Sequence, residues 1–176
     1  MRLFFAIQLE ETIKDCLCGI MENMKQSAVQ GNFTRRENLH LTLAFLGETN
    51  RLEAAQRAMN QTGCRSFSLA LEGLGKFARK GGNLYWVGFR ESEELFSLQK
   101  MLSQNLSDAG FVLEKRRYTP HLTLGREIVL PQGIDERTFQ KLLPPLTMQV
   151  NKISLMRSQR IQGKLTYTEL CAKRLE

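Results

Sequence analysis

Apolar positions recur along this chain with two periods, and the two periods come round more than once. Leu3 to Ile7 and Leu84 to Gly88 are short apolar runs rich in aromatic and branched residues, and each reads as a strand. Each is followed by an apolar stripe at helical spacing, Leu17, Ile20 and Met21 in one case and Leu98, Met101 and Leu102 in the other. Glu10-Glu11 and the Glu91 to Glu94 stretch put negative charge in the first turns, where the helix dipole favours it. A second pair of helices is expected over Arg51 to Gln61 and Asp135 to Leu143, the latter stopped by Pro144-Pro145. Third strands are expected over Phe67 to Leu71 and Met148 to Leu155. Gln162-Gly163 has the turn chemistry for a hairpin joining Ile153–Gln159 to a closing strand, Leu165 to Ala172.

These elements are related by a fixed offset of 81 residues. His40-Leu41-Thr42-Leu43 falls on His121-Leu122-Thr123-Leu124 without a gap, and Arg35-Arg36 falls on Arg116-Arg117. Gly82-Asn83-Leu84 falls in turn on Gly163-Lys164-Leu165, so the closing strand is a third appearance of the opening one. Strands separated by helices, duplicated in this way, predict an α+β class: an internally duplicated bilobal fold of two antiparallel sheets with outer helices around a central cleft. Residues 1–176 are expected to form a single two-lobed domain, with both termini in one lobe and the central segment building the other.

Composition narrows the class without choosing the function. Apolar content of 42% and charged content of 24% are those of a soluble globular chain. The N-terminal apolar run is too short for a signal peptide or a membrane span, so a cytoplasmic location and no membrane partner are expected. Cys16, Cys18, Cys64 and Cys171 lack a Cys-x-x-Cys pair and read as small part-buried apolar residues. A net charge of +7 favours a polyanionic partner, because Lys and Arg that neutralise phosphates release condensed counterions.

The candidate chemistry lies in the repeated tetrapeptide, which holds the chain's two histidines. On a strand, His40 and Thr42 share one face about 6.6 Å apart along the chain while Leu41 and Leu43 face the core, and the same holds for His121 and Thr123. Two lobes would set these strips across one cleft, on adjacent strands. With reference pKa values near 6.5, one imidazole can accept a proton while the other donates one, as in-line cleavage of a phosphodiester requires. Threonine hydroxyls suit the non-bridging oxygens. Two histidines with no carboxylate in either motif make a poor zinc site, so no metal and no cofactor are expected.

The flanks add a resemblance. Arg2-Leu3-Phe4-Phe5-Ala6-Ile7, Asn38 to Gly47 and Pro120 to Arg126 resemble the 2H phosphoesterase superfamily, in its RNA 2′,3′-cyclic phosphodiesterase (bacterial and archaeal 2′-5′ RNA ligase) branch. The resemblance implies His40 as proton donor and His121 as proton acceptor, and Thr42, Thr123 and Arg126 as phosphate-binding residues. It implies hydrolysis of RNA 2′,3′-cyclic phosphate ends to 2′-phosphates, tRNA fragments among the substrates, with 2′-5′ ligation as the reverse reaction. It also implies a substrate contact at Phe45, the aromatic after the first motif. Further possible contacts are Tyr118, as a base-stacking surface, and Arg35, Arg36, Arg116 and Arg117 with Lys115 at the cleft mouth. Trp86 reads as core. A monomer is expected. The rival readings are a non-catalytic single-stranded RNA-binding module and a 2H enzyme acting on another small cyclic nucleotide.

Overall fold

The computed structural model describes all residues, Met1–Glu176. The chain runs β1 (Arg2–Gln8), α1 (Glu11–Ser27), β2 (Gln30–Phe33), a 3-10 turn (Arg36–Asn38), β3 (His40–Glu48), α2 (Leu52–Gln61) and β4 (Phe67–Phe77). It continues through β5 (Asn83–Phe89), α3 (Glu93–Asp108), β6 (Leu122–Val129), α4 (Glu136–Gln140), β7 (Leu146–Val150), β8 (Lys152–Ile161) and β9 (Lys164–Arg174). The strands form two antiparallel sheets, β3-β1-β8-β9 and β2-β6-β5-β4-β7, in an α+β fold. The first and last strands share a sheet, and the central strands build the other.

Two expected strands need correction. Phe67 to Leu71 runs on to Phe77: its first half pairs with β7 and its second with β5. The stretch expected as one strand, Met148 to Leu155, is broken at Asn151 into β7 and β8, which lie in different sheets. The alternation slips at that point, where polar Asn151 and Lys152 stand side by side between Val150 and Ile153, and the slip coincides with the passage from one sheet to the other.

One face of each sheet is apolar and covered. Leu3, Phe5 and Ile7 of β1, Leu41 and Leu43 of β3, and Leu122 and Leu124 of β6 join a continuous core of 36 buried residues. The helices cross over: α1, which follows a strand of the first sheet, packs on β2 and β6 of the second, and α3 packs on β3 of the first. Ser92 caps α3 by accepting from the Leu95 amide at 3.2 Å, which satisfies one of the free N–H groups of its first turn. This exchange of helices locks the two sheets into one body and leaves their opposite faces to form a cleft. The floor of that cleft on the first sheet is a separate small cluster, Phe4, Ala6 and Met156, backed by Tyr167.

Candidate functional site

Both motifs enter the cleft by the same local device. In β3, Leu41 and Leu43 go into the core, so His40 and Thr42 face the cleft. Strict alternation would then bury Phe45. Instead Leu43 and Ala44 together oppose Phe5, a β-bulge that resets the alternation, and Phe45 emerges on the histidine side. In β6, Leu124 and Gly125 together oppose Tyr85, and the same reset brings Arg126 to the face of Thr123. Only a residue without a side chain fits the second bulge, since a Cβ on Gly125 would stand 3.0 Å from the carbonyl oxygen of Asn32 and 3.2 Å from the Phe33 Cα.

β3 and β6 lie in different sheets and touch without pairing, so the histidines face each other across a gap rather than sitting on hydrogen-bonded neighbours. His121 stands one residue ahead of β6. Each imidazole is anchored alike. Nδ1 of His40 lies 2.7 Å from the Asn38 carbonyl, and Nδ1 of His121 lies 2.7 Å from the Thr119 carbonyl. A carbonyl can only accept, so Nδ1 carries the proton and Nε2 is the basic nitrogen of the neutral ring. The Thr42 hydroxyl lies 2.9 Å from His40 Nε2. The backbone carbonyl of Thr123 accepts from the Thr34 hydroxyl at 2.8 Å.

Burial is the largest influence on both imidazoles and pushes each below the ordinary value of 6.5; the bonds to Asn38 and Thr119 pull back. The cations act in the same sense as burial. His121 and Arg126 lower His40, while Arg126 and Arg116 lower His121. Arg126 therefore acts on both rings, and no carboxylate pairs with it. No group of three or more His, Cys, Asp or Glu side chains gathers here or elsewhere.

Aromatic rings wall both histidines. Phe4 (4.9 Å between centroids) and Tyr167 (5.1 Å, edge-on) flank His40, and Phe77 (5.3 Å, edge-on) and Trp86 (6.5 Å) flank His121. Trp86, which its apolar strand assigns to the core, is instead half-buried beside His121. Two glycines make room for it: a Cβ on Gly75 would stand 2.4 Å from the indole, and one on Gly88 3.0 Å. Sequence reasoning missed Tyr167, Phe4 and Phe77. A usable signal existed for Tyr167, which falls 81 residues after Trp86.

The other expected contacts divide. Phe45 is exposed, with the Arg2 guanidinium 5.0 Å over its ring. Tyr118 is spoken for: its hydroxyl donates to the Thr42 carbonyl at 3.0 Å, its ring meets Phe96 edge-on at 5.9 Å, and burial pushes its pKa up. Its hydroxyl bond runs from the segment before β6 to β3 of the other sheet. Arg36 turns from the cleft to α1, where Glu11 (2.6 Å) and Asp15 (2.7 Å) hold it. Arg35 pairs with Glu37 at 2.9 Å and donates to the Leu165 carbonyl. Arg116 pairs with Glu114 at 2.7 Å, while Lys115 and Arg117 are exposed. The four cysteines are free and half-buried, and no helix is long and apolar enough to cross a membrane.

Comparison with known proteins bears on this site. An RNA 2′,3′-cyclic phosphodiesterase of Thermotoga maritima is 30% identical over 163 residues, covering 90% of this chain and 87% of its own. One of Methanothermobacter thermautotrophicus is 30% identical over 185 aligned residues, covering 99% and 98%. The crystal structure of E. coli LigT complexed with 3′-AMP superposes with a TM-score of 0.82 at 27% identity, covering 99% of this chain and 97% of that one. The model of the 2′-5′ RNA ligase superfamily matches residues 14–162. The chain belongs to the 2′-5′ RNA ligase superfamily, a branch of the 2H phosphoesterases.

Proposed function

We propose that this protein is an RNA 2′,3′-cyclic phosphodiesterase that works by a pair of imidazoles without a metal, residues 1–176 acting as one two-lobed domain. The observation that carries the reading is the matched anchoring of His40 and His121, each with Nδ1–H spent on a backbone carbonyl and both under the charge of Arg126. Relatives that bear the name RNA 2′,3′-cyclic phosphodiesterase support the substrate class.

In the free protein both rings are driven towards the neutral form. A bound phosphate supplies the negative charge that lets one of them hold a second proton. His40, the more deeply placed, takes that role; a buried imidazolium is a stronger acid for the same reason that burial lowers its pKa. His121 removes a proton from water at its Nε2 as the water oxygen attacks phosphorus. The P–O3′ bond breaks, His40 Nε2 gives its proton to O3′, and a 2′-phosphate and a 3′-hydroxyl remain. Thr42, Thr123 and Arg126 hold the non-bridging oxygens, where charge builds up. With a 5′-hydroxyl in place of water, the same arrangement forms a 2′-5′ linkage: His121 takes the hydroxyl proton, O3′ leaves with the proton of His40, and the strained cyclic ester supplies the driving force. RNA with a cyclic phosphate end, tRNA fragments included, is the expected partner of a cytoplasmic monomer.

The test is product analysis on an RNA ending in a 2′,3′-cyclic phosphate, with chelator present. A 2′-phosphate product is expected, and His40→Ala or His121→Ala alone should cost at least about 10² in kcat. Turnover within a fewfold of the parent in both variants would overturn the reading.

A further inference from the structure

Charge is unevenly laid along this chain. No Asp or Glu lies between Glu72 and Glu91, nor between Glu136 and Glu169, yet these two stretches carry ten of the 25 Lys and Arg residues. Each stretch contains a hairpin, β4–β5 with its turn at 78–82 and β8–β9 with its turn at Gln162-Gly163. The two hairpins belong to opposite sheets, and each is rooted beside one histidine: Phe77 meets His121 edge-on, and Tyr167 meets His40 edge-on. At the tips, Arg79, Lys80, Arg160 and Lys164 are exposed and none has a carboxylate partner. Arg160 donates to the Gly163 carbonyl of its own turn at 2.9 Å.

The tips are pinned. Gly82, at φ +137°, lies so close to the Glu127 backbone that a Cβ would stand 2.5 Å from its carbonyl carbon, and Gln30 donates to the Gly81 carbonyl at 3.1 Å. On the other hairpin, the Leu165 carbonyl accepts from Asn38 at 2.9 Å and from Arg35. Cations carried on fixed backbone give up less freedom on binding than cations on loose loops. A single cyclic nucleotide offers one phosphate, which Thr42, Thr123 and Arg126 can serve. Four exposed cations outside that group, none of them paired to a carboxylate, match a ligand whose charge continues beyond the reacting end.

We propose that the two hairpin tips, Arg79-Lys80 on one sheet and Arg160 with Lys164 on the other, form a two-point clamp on the phosphate backbone of the RNA behind its cyclic end. This rests on the phosphodiesterase reading above and makes the substrate a polynucleotide rather than a mononucleotide.

The test compares the parent with the paired variants Arg79→Ala/Lys80→Ala and Arg160→Ala/Lys164→Ala on two substrates, an oligoribonucleotide with a 2′,3′-cyclic phosphate end and 2′,3′-cyclic AMP. With the oligonucleotide, KM should rise in each variant while kcat holds. The slope of log kcat/KM against log salt should flatten by roughly 0.7 for each phosphate that the variant no longer neutralises, the single-strand value for counterion release. With 2′,3′-cyclic AMP neither KM nor kcat should move. An unchanged oligonucleotide KM and salt slope, or an equal change on both substrates, would overturn the clamp. If the parent turned over neither substrate, the phosphodiesterase reading would fail instead. Fluorescence anisotropy of the same oligonucleotide ending in a plain 2′-phosphate would then still decide whether the tips bind RNA.

Discussion

The hydroxyl of Tyr118 donates to the carbonyl oxygen of Thr42 across the cleft, at 3.0 Å. The segment that leads into the second motif is thus bonded directly to the strand of the first. Tyr118→Phe keeps the ring on Phe96 and removes the bond alone. A loss of about 1 kcal/mol in denaturant unfolding is expected, together with a fall in kcat and little change in KM. An unaltered kcat would show that the bond does not set the site's geometry.

Asn38 links the same site to the hairpin behind it. Its carbonyl accepts from His40 Nδ1 at 2.7 Å, while its side-chain amide donates to the Leu165 carbonyl at 2.9 Å from a buried position. Asn38→Ala leaves the backbone anchor in place but frees the turn that carries it. Stability should fall by about 0.5–1.5 kcal/mol, the net worth of one hydrogen bond, since the Leu165 carbonyl keeps its bond from Arg35, and kcat should fall without a matching rise in KM. Calorimetry and steady-state kinetics would check both parts.

Much of this site is legible in the sequence, for a physical reason. Two strands with buried Leu41, Leu43, Leu122 and Leu124 fix which way His40, Thr42, His121 and Thr123 point, and alternation is a strong local rule. What the alternation cannot show is the pair of bulges, since an extra residue in a strand changes nothing in hydropathy. Period alone would assign Phe45 and Arg126 to the core side. Trp86 is misplaced by the sequence because a tryptophan in an apolar strand says nothing about Gly75 on the neighbouring strand, whose missing side chain is what opens space over the sheet. Tyr118, Arg35 and Arg36 attract attention by their nearness to a motif in sequence. Their partners, Thr42, Leu165 and α1, are distant in sequence and become neighbours only through the fold.

The two imidazoles also make stability depend on pH. Burial holds both below the 6.5 they would have in the unfolded chain, so the unfolded state binds protons more readily. Their contribution to stability is complete above pH 6.5 and is lost as pH falls through their lowered values. The melting temperature should therefore drop between pH 7.5 and 5.5, and inorganic phosphate should reduce the drop by favouring the charged rings. The double variant His40→Asn/His121→Asn should flatten the profile in that window. A drop of equal size in the double variant would place its origin in other groups.

The packing of Trp86 over Gly75 offers a clean probe of the second wall of the cleft, because Trp86 is the only tryptophan in the chain. A methyl on residue 75 would sit 2.4 Å from the indole, inside any allowed contact, and β4 and β5 are paired at that point, so the backbone has little room to yield. The ring must lift towards the cleft, against Phe77 and His121. Gly75→Ala should thus shift the fluorescence emission of Trp86 to longer wavelength and lower kcat, while overpacking costs about 1–3 kcal/mol of stability. Adding Trp86→Leu removes the obstruction, so in that background Gly75→Ala should cost much less, a coupling that a double-mutant cycle measures directly. If the two substitutions instead proved additive, the glycine would owe its place to backbone geometry and not to the indole above it.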